Sequence, residues 1–472
     1  MFLGIDLGTG SVKALLLSEE GGVVAESSET YSVHAPHLGW AETQPENWWS
    51  ATCKAVQTVC QNESPLSISF SGQMHGTVLA DKQGRPLRPA VLWADTRSSS
   101  QLQHFKELNL AQQRALANPL VSGMMGSTLL WLREHESDRY KKATWALQPK
   151  DWLRFQCVGT VATEPSDASA TLLYDLFADD WAHDVINALE LRSDLLAPLK
   201  ASSAYAGSLT KDAARALSIK EDTPVFVGGG DAACSAFGSQ LRREGQVQIN
   251  IGTAMQIFAI LDNPRVNEVL TTHLYRTVES NYYAMAAMQN AGIAFEWVRR
   301  IFSVSWEDMY KEAFSVNSSE GVRFLPYLTG ERTPHMNSAA KGTWHGLSLK
   351  HERGHMLRAV FEGVAFALKD GLRALENTGV QVDTLRLAGG GSSETRWQSL
   401  LATILGKDLY SIEISSASAK GAALLGAKGA GYSVLEEANL KHAAQPEHSE
   451  ELELAYEDFK MLYTSLYGKR RN

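Results

Sequence analysis

The chain has 472 residues, 44% hydrophobic and 21% charged, with a net charge of −9 at pH 7. That length exceeds one ordinary core and suits two large domains, and the composition is that of a soluble globular protein. The acidic balance argues against a nucleic-acid or acidic-membrane surface as partner, and no apolar run approaches membrane-spanning length.

Residues 2–6, 12–17 and 23–31 read as a β-meander. The opening strand carries no basic leader, so a signal peptide is not expected. Cys53, Cys60, Cys157 and Cys234 show neither CxxC pairing nor metal-ligand spacing. Free thiols in a cytoplasmic protein are the expectation. A helix should begin at Pro45, with Trp48, Trp49, Cys53 and Val56 at helical spacing. A buried strand at 68–71 runs into Gly72-Gln73-Met74-His75-Gly76. Residues 98–142 read as mainly helical, and 151–177 as a helix with a turn-rich segment. A strand at 225–227 then enters Gly228-Gly229-Gly230-Asp231 and an alanine-rich helix.

The series restarts with a hairpin over 246–261 and strands around 282–288. Helices are expected at 292–302 and 356–378. A strand at 385–388 precedes Gly389-Gly390-Gly391-Ser392-Ser393 and a helix through 405. A strand at 409–412 and a small-residue helix near 419–429 follow, and Lys469-Arg470-Arg471 reads as a solvated tail. A strand-heavy opening followed by alternating helix and strand, played twice, predicts an α/β fold with a mixed sheet in each half. No low-complexity linker separates the halves, so the junction near 241–245 should act as a hinge.

Both halves open on one phrase. Ile5-Asp6-Leu7-Gly8-Thr9-Gly10 and Ile249-Asn250-Ile251-Gly252-Thr253-Ala254 each join two apolar strands through a polar turn. Glycine there lets backbone N–H groups and a threonine hydroxyl face one point, as an anion requires. Asp6 can hold Mg²⁺ through water while the turn holds phosphate oxygens; alone, it could equally stabilise the turn. Asn250 adds no such charge. Asp231, at a helix start after three glycines, is either an N-cap or the acceptor of a hydroxyl proton in phosphoryl transfer. The glycines before it would admit substrate close to the backbone. Gly389-Gly390-Gly391 would let a flat nucleoside lie against main chain, or simply form a tight turn. His75 is a candidate sugar partner or a structural histidine; Trp48, Trp49 and Trp93 read as core. His351-Glu352-Arg353-Gly354-His355 formally matches the zinc motif HExxH. Because the helical pattern starts only near Met356, its histidines are not expected to converge on a metal.

Taken in order, these phrases make the chain resemble the FGGY family of ATP-dependent carbohydrate kinases nearly end to end. Supporting segments include Leu92-Trp93-Ala94-Asp95-Thr96-Arg97, Phe324 through Pro334, and the block from Gly342 to Glu362. The resemblance implies two actin-like (ribonuclease H-like) domains around a cleft, a sugar-binding one at 1–243 and a nucleotide-binding one at 244–472. It also implies ATP and Mg²⁺, with Asp231 as catalytic base and Asp6 as the metal-linked acid. Met74 and His75 match the sugar-binding pair. Thr9, Gly252 and Thr253 match the phosphate turns, Gly292 a nucleotide contact, and Gly389, Gly390 and Ser393 the adenosine loop. A ketose such as D-xylulose is the implied acceptor. Ala232, Ala254 and Thr128 depart from the xylulose-kinase pattern and leave another pentulose, a heptulose or a polyol open. An actin-like ATPase or a non-catalytic sugar sensor are the remote alternatives, and a homodimer is left open.

Overall fold

The computed structural model describes residues 1–61, 63–267, 269–412, 416–434 and 438–468; the basic tail lies outside them. The chain packs as two compact units. The first comprises Met1–Arg242, Leu274–Tyr283 and Ile414–Ala438, the second Arg243–His273, Ala284–Glu413 and Asn439–Asn472. Two segments thus depart from the linear division expected at 243/244.

In the first unit the strand Phe2–Leu7 pairs antiparallel with Ser11–Leu17, which pairs in turn with Val23–Thr30. On its other side Phe2–Leu7 runs parallel to Ser67–Gly72. Pro224–Phe226 and Gly229–Gly230 continue that parallel side. Leu3, Ile5, Leu7, Ile68 and Phe70 are fully buried, alternate residues on the apolar face of the two strands. The Pro45–Val59 helix, started by proline in its first turn, packs on the meander strands through a buried face that includes Trp48 and Val56. Trp48 meets Trp152 edge-on at 6.1 Å, and its truncation to alanine should cost about 3–5 kcal/mol.

The Asp231–Gly238 and Ala417–Gly429 helices pack together, the latter also lying on the strands Phe2–Leu7 and Ser67–Gly72. Small residues make that approach possible. A Cβ on Gly4 would stand 1.9 Å from the Ala419 carbonyl, and one on Gly421 the same distance from that of Cys234. Close packing, rather than sequence position, therefore puts the Ala417–Gly429 helix in the first unit.

The second unit repeats the central motif. Gln246–Ile251 pairs antiparallel with Met255–Leu261 and parallel with Thr384–Ala388, beyond which lie Leu409–Ile412 and Leu440–Ala444. Phe361, on the long helix Arg353–Glu376, meets Phe295 at 4.8 Å and Trp397 at 5.3 Å in an aromatic core. In the first unit the parallel partner of the hairpin ends in Gly72, and in the second it is followed directly by Gly389. The hairpins are not identical. Leu7 pairs with Val12, leaving residues 8–11 in the turn, whereas Ile251 pairs with Met255, leaving 252–254.

Among the described residues no helix is long and apolar enough to cross a membrane.

Candidate active site

Three parallel strand ends of the first unit carry its chemistry. Register places Asp6 beside Ser71 and Ser71 beside Gly229, so Asp6 and Asp231 emerge at the carboxyl edge of one sheet, where α/β folds bind ligands. Ser71 Oγ donates to Asp6 Oδ1 at 2.8 Å. Burial raises the Asp6 carboxyl above its ordinary range, opposed by the Ser71 hydrogen bond and the Lys13 charge. The turn beyond it is held from several sides. Gly8 N–H donates to the Ser11 carbonyl at 2.9 Å, Gln73 Nε2 donates to the Gly8 carbonyl at 3.1 Å, and the Tyr31 hydroxyl donates to that same carbonyl.

Asp231 is the first residue of its helix, so Gly230 and not Asp231 is the N-cap. Its Oδ1 accepts from the Ala232 N–H at 2.6 Å. Burial, and then the charge of Asp6, push the Asp231 carboxyl up to about 7, against the Ala232 hydrogen bond. The preceding glycines serve the protein's own packing rather than a ligand. A Cβ on Gly228, whose φ is +88°, would stand 2.0 Å from the Phe70 carbonyl; one on Gly229 would stand 2.4 Å from Val278, and one on Gly230 3.0 Å from Met74.

Met74 is therefore packed against Gly230, and its sulfur accepts from the Tyr283 hydroxyl at 3.8 Å. His75 has a φ of +72°, unusual for a side chain of its size. Its Nδ1 lies 2.7 Å from the Ala170 carbonyl. A carbonyl only accepts, so Nδ1 is the donor of this pair. The Tyr275 ring stands 6.2 Å from the imidazole. Trp93, read from sequence as core, is 39% exposed and donates its indole N–H to Thr9 Oγ1 at 2.8 Å. That role is not visible in the sequence, nor are those of Ser71, Gln73 and Tyr31 as supports of the first turn. The one sequence signal for them is that Ser71 and Gln73 adjoin Met74 and His75.

In the second unit Gly252 donates to the Ala254 carbonyl at 2.9 Å, and Asn250 Oδ1 accepts from Gln248 Nε2 at 2.8 Å. Gly292 N–H donates to the Gly252 carbonyl at 2.9 Å, and Ile293 N–H to that of Thr253 at 3.0 Å. The Gly292–Phe302 helix thus seats its first turn on the second hairpin, and a Cβ at 292 would stand 2.5 Å from the Gly252 carbonyl. Gly389, with φ +95°, would place a Cβ 2.4 Å from the Ile251 carbonyl, whereas Gly390 faces open space. Ser393 is exposed. Thr253, Gly292, Gly389 and Gly390 thereby gather around one end of one sheet.

The zinc-like motif is not a metal site. Glu352 caps the helix that starts at Arg353, and His355 Nδ1 accepts from the Glu352 N–H in the reciprocal capping box. His351 Nδ1 instead accepts from the Ser348 N–H at 2.9 Å. Among the described residues no group of three or more ligating side chains could hold a metal ion.

Two carboxylates at one sheet edge, beside one of two glycine–threonine turns, define a protein of the phosphoryl-transferring α/β class. Comparison with known proteins agrees. Residues 1–238 match the N-terminal domain, and residues 247–430 the C-terminal domain, of the FGGY family of carbohydrate kinases. The chain is 32% identical over 482 residues to the xylulose kinase of Staphylococcus epidermidis (strain ATCC 12228), covering 99% of this chain and 97% of that protein. It is 35% identical over 416 residues to that of Escherichia coli (strain K12), covering 87% and 86%. A gluconokinase of Bacillus subtilis (strain 168) is 29% identical over 443 residues, covering 90% and 86%. The crystal structure of a xyloylose kinase from Brucella ovis superposes with a TM-score of 0.92 at 30% identity, covering 99% and 98%. The chain belongs to the FGGY family of carbohydrate kinases. It is a phosphotransferase with an alcohol acceptor, built as two α/β units with mixed sheets.

Proposed function

We propose that this kinase transfers the γ-phosphoryl group of ATP to the 5-hydroxyl of D-xylulose, giving D-xylulose 5-phosphate. The observation that carries the reading is Asp231, a carboxylate raised to about 7 by burial and by Asp6, at the strand edge that also holds Met74 and His75. A base poised there ionises near neutral pH and can take the proton of the attacking hydroxyl. His75, its Nδ1 held on the Ala170 carbonyl, is the histidine of the sugar-binding pair. Thr9, oriented by Trp93, holds a transferring phosphate oxygen. Gly252, Thr253 and Gly292 hold the nucleotide's phosphates, and Gly390, open on its Cβ side, lets adenosine approach main chain.

Magnesium fits the donor set. Asp6 is one carboxylate beside a second, with no cage of three protein ligands among the described residues. That suits an ion held mainly by phosphate and water. When bound it neutralises charge on the transferring group. Asp6 would hold it through the carboxylate that Ser71 orients. The free thiols at Cys53, Cys60, Cys157 and Cys234 support a cytoplasmic location.

The reading is tested by coupled ADP release across a panel of D-xylulose, D-ribulose, sedoheptulose, glycerol and D-gluconate. D-xylulose should give the highest kcat/KM, and a larger value for any other acceptor would reassign the substrate.

A further inference from the structure

Beneath the Asp231 loop lies a buried polar chain that the proposed chemistry leaves unused. Glu164, fully buried, accepts four hydrogen bonds on its two carboxylate oxygens. They come from Ser166 N–H at 2.7 Å, Ser166 Oγ at 2.9 Å, Asp167 N–H at 3.0 Å and Ser202 Oγ at 3.0 Å. Lys150 Nζ stands 3.4 Å from the same carboxylate, itself shared with Asp151 at 2.8 Å and Asp167 at 3.1 Å. Both serines reach onward to the glycine run. Gly230 N–H donates to Ser166 Oγ at 3.0 Å, and Gly228 N–H donates to the Ser202 carbonyl at 2.9 Å. Arg154, anchored on Asp151, donates to the Val227 carbonyl at 2.7 Å.

The direction of this chain is fixed by donor counting. Ser166 has one hydroxyl proton and spends it on Glu164, so its Oγ can only accept from Gly230. The run Gly228-Gly229-Gly230 has no side chains of its own to hold its conformation, and glycine is the most conformationally free residue. The Gly230 N–H belongs to the Gly229–Gly230 peptide, joined to the Gly230–Asp231 peptide through the Gly230 Cα alone, so its rotation would swing the Asp231 carboxylate. We propose that Glu164, acting through Ser166, is a positioning residue that locks the Gly229–Gly230 peptide and so aims Asp231 at the acceptor hydroxyl. This rests on the reading of Asp231 as the base.

The test uses the full chain with ATP, Mg²⁺ and D-xylulose, comparing wild type, Ser166→Ala, Glu164→Gln, the double variant and Asp231→Asn. Ser166→Ala deletes one buried oxygen and should lower kcat about 10- to 100-fold, the cost of a misaimed reacting group. KM for both substrates should stay within about threefold, because neither binding surface is touched. Glu164→Gln should act in the same direction, and the double variant should be within about twofold of Ser166→Ala, as members of one chain do not add. A kcat within about twofold of wild type for Ser166→Ala would overturn the proposal, as would parallel loss of kcat, KM and melting temperature. If Glu164→Gln fails to fold, Ser166→Ala alone decides. Near-normal turnover by Asp231→Asn would instead remove the base reading; an inactive Asp231→Asn beside a normal Ser166→Ala removes the positioning role only.

Discussion

Asp231 should make the protein less stable as the pH rises toward neutrality, and Asp231→Asn should relieve this. The carboxyl is raised from 3.8 to about 7 in the folded state, by burial first and then by Asp6. Between those values the unfolded chain has lost the proton while the folded chain keeps it. The folded state therefore binds more protons, and stability falls with rising pH across this window, levelling above about 7. At ~1.4 kcal/mol per pH unit the full effect would be about 4 kcal/mol. Asp231 keeps partial solvent contact, which screens the charge and brings the expectation to about 2 kcal/mol. Asparagine keeps the Oδ1 acceptor for the Ala232 N–H and never ionises. Thermal unfolding of the ligand-free protein from pH 4.5 to 8.5 should show the variant's advantage growing from near zero to about 4–8 °C at pH 8, in the first unit's transition. An advantage independent of pH, or a variant less stable at pH 8, would refute the argument.

Four further outcomes follow from the geometry. The kcat/KM of wild type should rise with pH through one ionisation near 7 and then level, because the base acts only when deprotonated; a flat profile from pH 5.5 to 8.5 would count against it. Trp93→Phe removes the donor to Thr9 Oγ1 and should lower kcat about 3- to 10-fold in a coupled assay, the worth of one hydrogen bond. Gly389→Ala forces a Cβ to 2.4 Å from the Ile251 carbonyl at φ +95°. It should cost about 1–3 kcal/mol of stability and weaken ATP binding at least about tenfold in calorimetric titration. Ala232→Asn introduces an amide beside Asp231 and should raise kcat/KM for D-xylulose about tenfold, equivalent to ~1.4 kcal/mol.

The repeated hairpin was legible because its signals are local: alternating apolar residues, a glycine turn, and a threonine at a fixed offset. The same holds for the proline-started helix at Pro45 and for HExxH, where His355 is taken up in the helix cap and His351 by the Ser348 N–H. What sequence could not supply was distance between remote segments. Nothing in residues 417–429 tells that their alanines and glycines pack on Gly4 and Cys234 of the first unit. Trp93 reads as core because indole is mostly apolar, and only the fold brings its N–H to Thr9, 84 positions away. The three glycines before Asp231 suggested a ligand, yet they yield to Phe70, Val278 and Met74. Asp6 and Asp231 were both visible as residues. Their mutual electrostatic effect depends on parallel strand register, which the linear order does not contain.

The central claim is that Asp231 takes the proton of a sugar hydroxyl during phosphoryl transfer. Rapid-quench measurement of a single turnover, with saturating ATP, Mg²⁺ and D-xylulose, tests it most directly when wild type and Asp231→Asn are compared. The variant should bind ATP with unchanged Kd and form D-xylulose 5-phosphate about 10³-fold more slowly. Transfer at close to the wild-type rate would contradict it.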